Sequence, residues 1–168
     1  MTRARRLFRH ERGSATVEMA LVLPMMLLLI FGSVELGNYF LAEHVVDKGV
    51  RDAARYAARL PVTSFSCATG TMTDPTPIQK LARTGAPDGT VGRLRDWTSD
   101  GMTTVSVSCD TNTTHVYVNN GIYKDFPMGV PVVTVTASVP YTKLFATLGI
   151  RTASINLNAT QQAAVIGV

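Results

Sequence analysis

The sequence predicts an α+β protein: a long N-terminal helix, part transmembrane and part amphipathic, packed on a small antiparallel β-sheet in a lollipop arrangement. Three observations carry this. An uncharged apolar run spans Met19–Val34 directly after an arginine-rich tail. Helical spacing of apolar residues continues to Leu60, where Pro61 stops it. Beyond residue 102 the apolar period changes from helical to two. With 168 residues, there is room for one folded domain and an extension. A hydrophobic content of 46% and a charged content of 17% exclude a disordered chain and a multi-span membrane protein alike.

The tail, residues 1–13, carries Arg3, Arg5, Arg6, Arg9 and Arg12 against Glu11. From residue 14 onward acids and bases balance, so the formal net charge of +4 belongs to the tail. A nucleic-acid-binding domain places its basic surface on the folded part, so no nucleic-acid partner is expected.

The next segment, residues 14–42, reads as a transmembrane helix, with the lipid bilayer as its partner. Met19–Val34 alone covers about 24 Å of helix, a little under the hydrocarbon core, and its flanks extend it to a full span. Glu18 and Glu35 bracket the run. Five arginines before it place the N-terminus in the cytoplasm and the later residues outside. Signal peptidase cleavage is disfavoured, because none of Gly32, Ser33, Gly37 or Ala42 has a small residue two positions earlier. Ser33 and Gly37 form a small-x3-small pair, a candidate helix–helix contact.

Gly13 is followed by Ser14-Ala15-Thr16-Val17-Glu18 and then the apolar run. A basic leader, a glycine and a glutamate five residues on is the pattern of prepilin leaders, cut after the glycine on the cytoplasmic side. The expected cleavage is between Gly13 and Ser14. A carboxylate just inside the membrane is costly unless partnered, which makes Glu18 a candidate functional group.

Residues 43–60 read as an extracytoplasmic continuation of the helix, with apolar positions at Val46, Val50, Ala53, Ala57 and Leu60. Pro24 lies inside the helix and removes one backbone bond, which a membrane bundle tolerates. Asp47 and Arg51 stand i,i+4. Arg51, Arg55 and Arg59 form a stripe that reads either as a solvated face with some Asp52 pairing or as a dock for an acidic partner.

Residues 61–102 are loop-rich with one short helix, started by Thr76 as N-cap, Pro77 and Gln79, and stopped by Gly85. A second short helix is weakly marked around 91–98. Residues 103–168 form the sheet. Its strands are read from Val105/Val107/Cys109, Val116/Val118, Val133/Val135/Ala137/Val139 and Ile155/Leu157/Ala159, each alternating with polar residues. The helix around 43–60 is the long amphipathic element available to cover the dry face. Cys67 and Cys109 are the two cysteines. Outside the cytoplasm they are expected to be bonded, the alternative being two buried free thiols.

The stretches Gly13–Pro24, Gly32-Ser-Val-Glu-Leu-Gly37 and Arg51-Asp-Ala-Ala-Arg-Tyr-Ala-Ala-Arg59 resemble the N-terminal region of TadE-like proteins, minor pseudopilins of tight-adherence (Flp-type) pilus systems. Val133–Pro140, Tyr141–Phe145 and Ile155–Thr160 resemble the family's late strands more loosely. The resemblance implies a pilin-like lollipop fold, a prepilin peptidase as processing partner, and residence in the inner (cytoplasmic) membrane. It also implies contacts with other pilus subunits and the membrane assembly platform. In pilin-like assemblies Glu18 would pair with the new N-terminal amine of a neighbour. Met19 stands where such sequences often carry an aromatic residue. No catalytic constellation, metal-ligand spacing or cofactor fingerprint is visible, so no enzyme activity and no cofactor are expected. The competing reading is an uncleaved single-span anchor presenting an extracytoplasmic binding domain.

Overall fold

The computed structural model describes residues 4–110, 123, 129–145 and 155–167, with side chains from residue 15 onward. The architecture is α+β, as the sequence predicts. The chain divides into two units, Met1–Tyr39 and Phe40–Val168.

The first element is helix α1, Ala4–Ala57, with Pro24 inside it. It starts within the basic tail and ends just short of Leu60. In the second unit, Val46, Val50, Ala53, Ala54 and Ala57 are buried on one side of α1. Gly49 belongs to the same side. Ala82 O approaches it closely, and Trp97 Cη2 lies 3.2 Å from where a Cβ would stand. Gly49→Ala should therefore force α1 away from this contact and destabilise the unit by about 1–3 kcal/mol. Chemical denaturation of the purified protein checks this; an unchanged midpoint would show that the contact yields without cost.

After α1 the chain turns through a short 3-10 segment, Val62–Ser64, into a two-stranded pair, β1 (Phe65–Ser66) and β2 (Thr71–Met72). Gly70, with φ 66°, makes the turn between them. This pair was not anticipated, because two residues are too few to display a period. Helix α2 spans Thr76–Thr84, and Gly85 ends it in the left-handed region with φ 92°.

The start of α2 differs from the predicted one. Thr76 is already helical and Pro75 occupies the cap position. Asp74 Oδ1 accepts the Thr76 N–H at 3.0 Å, which lets the helix begin a residue earlier. The Thr76 hydroxyl and then its N–H hold the Asp74 carboxyl below its ordinary value, with a smaller contribution from Lys80. Stability from this contact is present at neutral pH and is lost as pH falls through that lowered value. Gln79 does not reach back to the cap. Its Nε2 donates to Thr103 O at 2.9 Å, fastening α2 to the sheet.

Residues 91–98 form turns instead of a second helix. Arg83 accounts for this. It donates to Thr90 O at 3.1 Å and pairs with Asp100 at 2.6 Å, while its carbonyl accepts the Arg93 N–H at 2.8 Å. The loop is thereby pinned around the end of α2, and Trp97 is buried beneath it. Trp97 Nε1 and Thr103 Oγ1 are buried with no hydrogen-bond partner among the described residues.

The main sheet holds β3 (Thr103–Asp110), β4 (Val130–Tyr141) and β5 (Ile155–Ala164), antiparallel with β4 central. The predicted strand at Val116/Val118 lies outside the described residues. Register pairs Val107 with Val133 and Val139 with Leu157, so the odd-numbered residues share one face. Thr103, Val107, Val133, Val135, Ala137, Val139 and Leu157 are buried there. The opposite face carries Thr104, Ser106, Ser108, Ser138, Asn158 and Gln162, all exposed. With the buried stripe of α1, the odd-numbered face supplies the core of the second unit. The chain's end returns to α1: Ile166 N–H donates to Ala58 O at 2.8 Å, and Gly167 bridges to Pro61. Gly167 is tight against the Leu60 carbonyl, leaving no room for a side chain.

Candidate functional site: the apolar half of the long helix

The first unit, Met1–Tyr39, holds the N-terminal part of α1. From Val17 to Leu41 its large apolar side chains stand exposed, Leu29 at 66% and Leu21 at 73% among them. The segment is long and apolar enough to cross a membrane, and none of its most apolar window is buried. Such a surface is larger than a soluble monomer ordinarily leaves bare, and it suits lipid or other apolar helices. That is compatible with a single-pass membrane anchor.

Gly13 and Ser14 both lie within the bounds of α1. Glu18 follows one helical turn later. Its side chain is exposed and makes no hydrogen bond or ion pair with the described residues. Among the described residues, then, this carboxylate at the head of an apolar helix stands exposed without a partner. Glu35, at the other end of the run, is half-buried and engaged within the chain.

Ser33 donates its hydroxyl to Ile30 O at 2.9 Å, so its polar atom is satisfied within the helix. At Gly37 nothing lies within 4 Å of where a Cβ would stand. The small-x3-small pair is thus open to an approaching helix, with no hydroxyl left to desolvate.

The arginine stripe separates into unequal parts. Arg51 pairs with Asp47 at 2.6 Å, the i,i+4 pair that the spacing predicts. Asp52 is not used by the stripe. It accepts from Arg93 Nη1 and Nη2 at 3.4 Å, a contact across the fold that links α1 to the loop after α2. Arg55 and Arg59 remain exposed. Sequence reasoning missed Arg93 and Arg83, because each acts through a partner distant in sequence and neither stands in a local pattern.

Cys67 and Cys109 are joined, with their Cα atoms 5.6 Å apart. The bond ties the β1–β2 turn to the end of β3. Among the described residues, no group of three or more His, Cys, Asp or Glu could hold a metal ion.

A family model described as TadE-like protein matches residues 13–55. Neither a curated protein nor a solved structure matches the chain. The match begins at Gly13, where the basic tail ends, takes in Glu18 and the whole exposed apolar run, and closes at Arg55 of the stripe. It falls on the segment whose residues carry the resemblance. Over residues 13–55, about a quarter of its length, this chain is similar to TadE-like proteins.

Proposed function

We propose that the protein is a non-catalytic, pilin-like subunit or assembly factor of a tight-adherence pilus, made as a precursor and cut by a prepilin peptidase between Gly13 and Ser14. The observation that carries this reading is a family match whose first residue is the glycine of the leader pattern. Five arginines precede that glycine, and an exposed apolar helix follows it. The arginines hold the N-terminus in the cytoplasm, so the helix anchors the protein in the inner membrane and the C-terminal domain is extracytoplasmic. Residues 1–13 then form the leader and 14–42 the span. Residues 43–60 continue the helix outside, 61–102 are the loop-rich segment, and 103–168 form the sheet region. Before cleavage the protein is a single-span anchor. After cleavage the Ser14 amine becomes a free cation beside an apolar helix, and Glu18 of a neighbouring subunit is the carboxylate placed to meet it. Other pilus subunits and the membrane platform are the partners of this helix.

The mature chain should begin at Ser14. Intact-mass measurement of membrane-extracted protein, from cells with and without an active prepilin peptidase, decides it. Met1–Gly13 still attached in the presence of the peptidase would sink the cleaved pseudopilin reading.

A further inference from the structure

The three-stranded sheet has two edges, and they are treated differently. In an antiparallel ladder a residue's N–H and C=O point to the same side, so alternate residues serve alternate neighbours. On β5 the parity is set at its end. Val165 N–H donates inward to Pro131 O at 2.9 Å, while Ile166 N–H turns outward to Ala58 O. Odd-numbered residues of β5 therefore bond to β4. Asn156, Asn158, Thr160, Gln162 and Ala164 direct their backbone groups to the outer edge.

On β3 the outward residues are the odd-numbered ones, and there the edge is covered. Thr103 O accepts from Gln79, Val107 N–H donates to Gly70 O at 3.2 Å, and Cys109 is bonded to Cys67. On β5 the one described bond to the outward groups is local, from Asn158 Nδ2 to Asn156 O at 3.4 Å. Folded proteins blunt a bare edge with lysine, proline, a bulge or a covering segment. Ile155–Ala164 contains no charge, no proline and no glycine.

The side chains along this edge are complementary to themselves. Laid antiparallel on a second β5 and centred on Thr160, Asn158 meets Gln162 of the second copy, amide against amide, and Thr160 meets Thr160. On the other face Leu157 meets Ala163 and Gln161 meets Ala159, large against small. Every outward backbone group then lies in a hydrogen-bonded pair, and no like charges oppose each other. A charged partner strand would find nothing on β5 to answer its charges.

We propose that β5 is a homodimerisation edge, through which two copies of this chain pair antiparallel about Thr160 into one six-stranded sheet. This is independent of leader cleavage and of a pilus role.

The test uses the full chain in membranes. Thr160→Cys adds one thiol, and a short thiol–thiol crosslinker reports whether two copies bring it together. Thr104→Cys, on the same exposed face but on β3, is the comparator. Position 160 should give a product of twice the protein's mass, and position 104 should not. Two double variants are then made in the Thr160→Cys background. Asn158→Lys with Gln162→Lys opposes like charges at both cross-copy pairs and should lower the yield about fivefold or more. Asn158→Lys with Gln162→Glu opposes unlike charges at the same pairs and should restore it. General damage to the strand would lower both. Equal crosslinking at 104 and 160, loss in both double variants or in neither, or a product with a different protein would overturn the proposal.

Discussion

Replacing Cys67 and Cys109 together by alanine should lower the stability of the Phe40–Val168 unit by up to about 4 kcal/mol. The bond spans a sequence separation of 42, and in the chain-entropy picture the unfolded chain regains that loop's freedom when the link is cut. Among the described residues, few other ties hold the β1–β2 turn to the sheet. Its described backbone tie to the sheet is the Val107 N–H to Gly70 O bond, and both strands of the pair are two residues long. The loop after α2 should be less affected. It is held by Arg83 to Thr90 and Asp100, by Arg93 to Asp52, and by buried Trp97. The expected result is a fall in melting temperature on the order of 10 °C, with the amide of Val107 losing protection against hydrogen exchange before those of β4. Thiol labelling of denatured, unreduced protein gives the companion measurement. It should return no signal, whereas two reactive thiols, or a double-alanine variant as stable as the parent, would refute the role given to the bond.

That reading rests on which features the sequence displays. The helix of α1 and the strands β3, β4 and β5 were legible because their apolar residues recur at a fixed period over many positions. The Gly13–Glu18 spacing is likewise displayed within a few consecutive residues, and its role is a proposal. Strand ends were less so: β5 runs on through Gln161, Gln162 and Ala163, where no apolar alternation marks it, and Gln161 faces inward opposite Val135. What the sequence could not display was pairing at a distance. Arg93 meets Asp52 across 41 positions, and Gln79 meets Thr103 across 24. Gly49 looks like a weak point in a helix until the Ala82 carbonyl is brought against it. The edge of β3, covered by Gln79 and Gly70, and the edge of β5, which no other described segment covers, likewise follow from register, which periodicity does not determine.

Glu18→Ala should abolish or strongly reduce assembly while leaving the Phe40–Val168 unit folded. On insertion scales a central carboxylate costs roughly 2.5–3.5 kcal/mol, so its removal should leave membrane insertion intact or improve it. Glu18 makes no bond to the described residues, so no contact with them is lost with it. The loss should fall on the neighbour. Without the carboxylate, the Ser14 amine of an adjacent subunit has no opposite charge in an apolar bundle, and an unpaired buried ion costs several kcal/mol. Glu35→Ala is the control. It stands at the outer end of the apolar run and is already engaged within its own chain, so its loss should perturb assembly less. The measurement is crosslinking of each variant to other pilus subunits, together with a count of surface pili and an intact-mass check that leader removal still occurs. If Glu18→Ala assembles as well as the parent, or if Glu35→Ala is the more damaging change, the carboxylate at position 18 does not bridge subunits, and the apolar surface of α1 alone must drive their association.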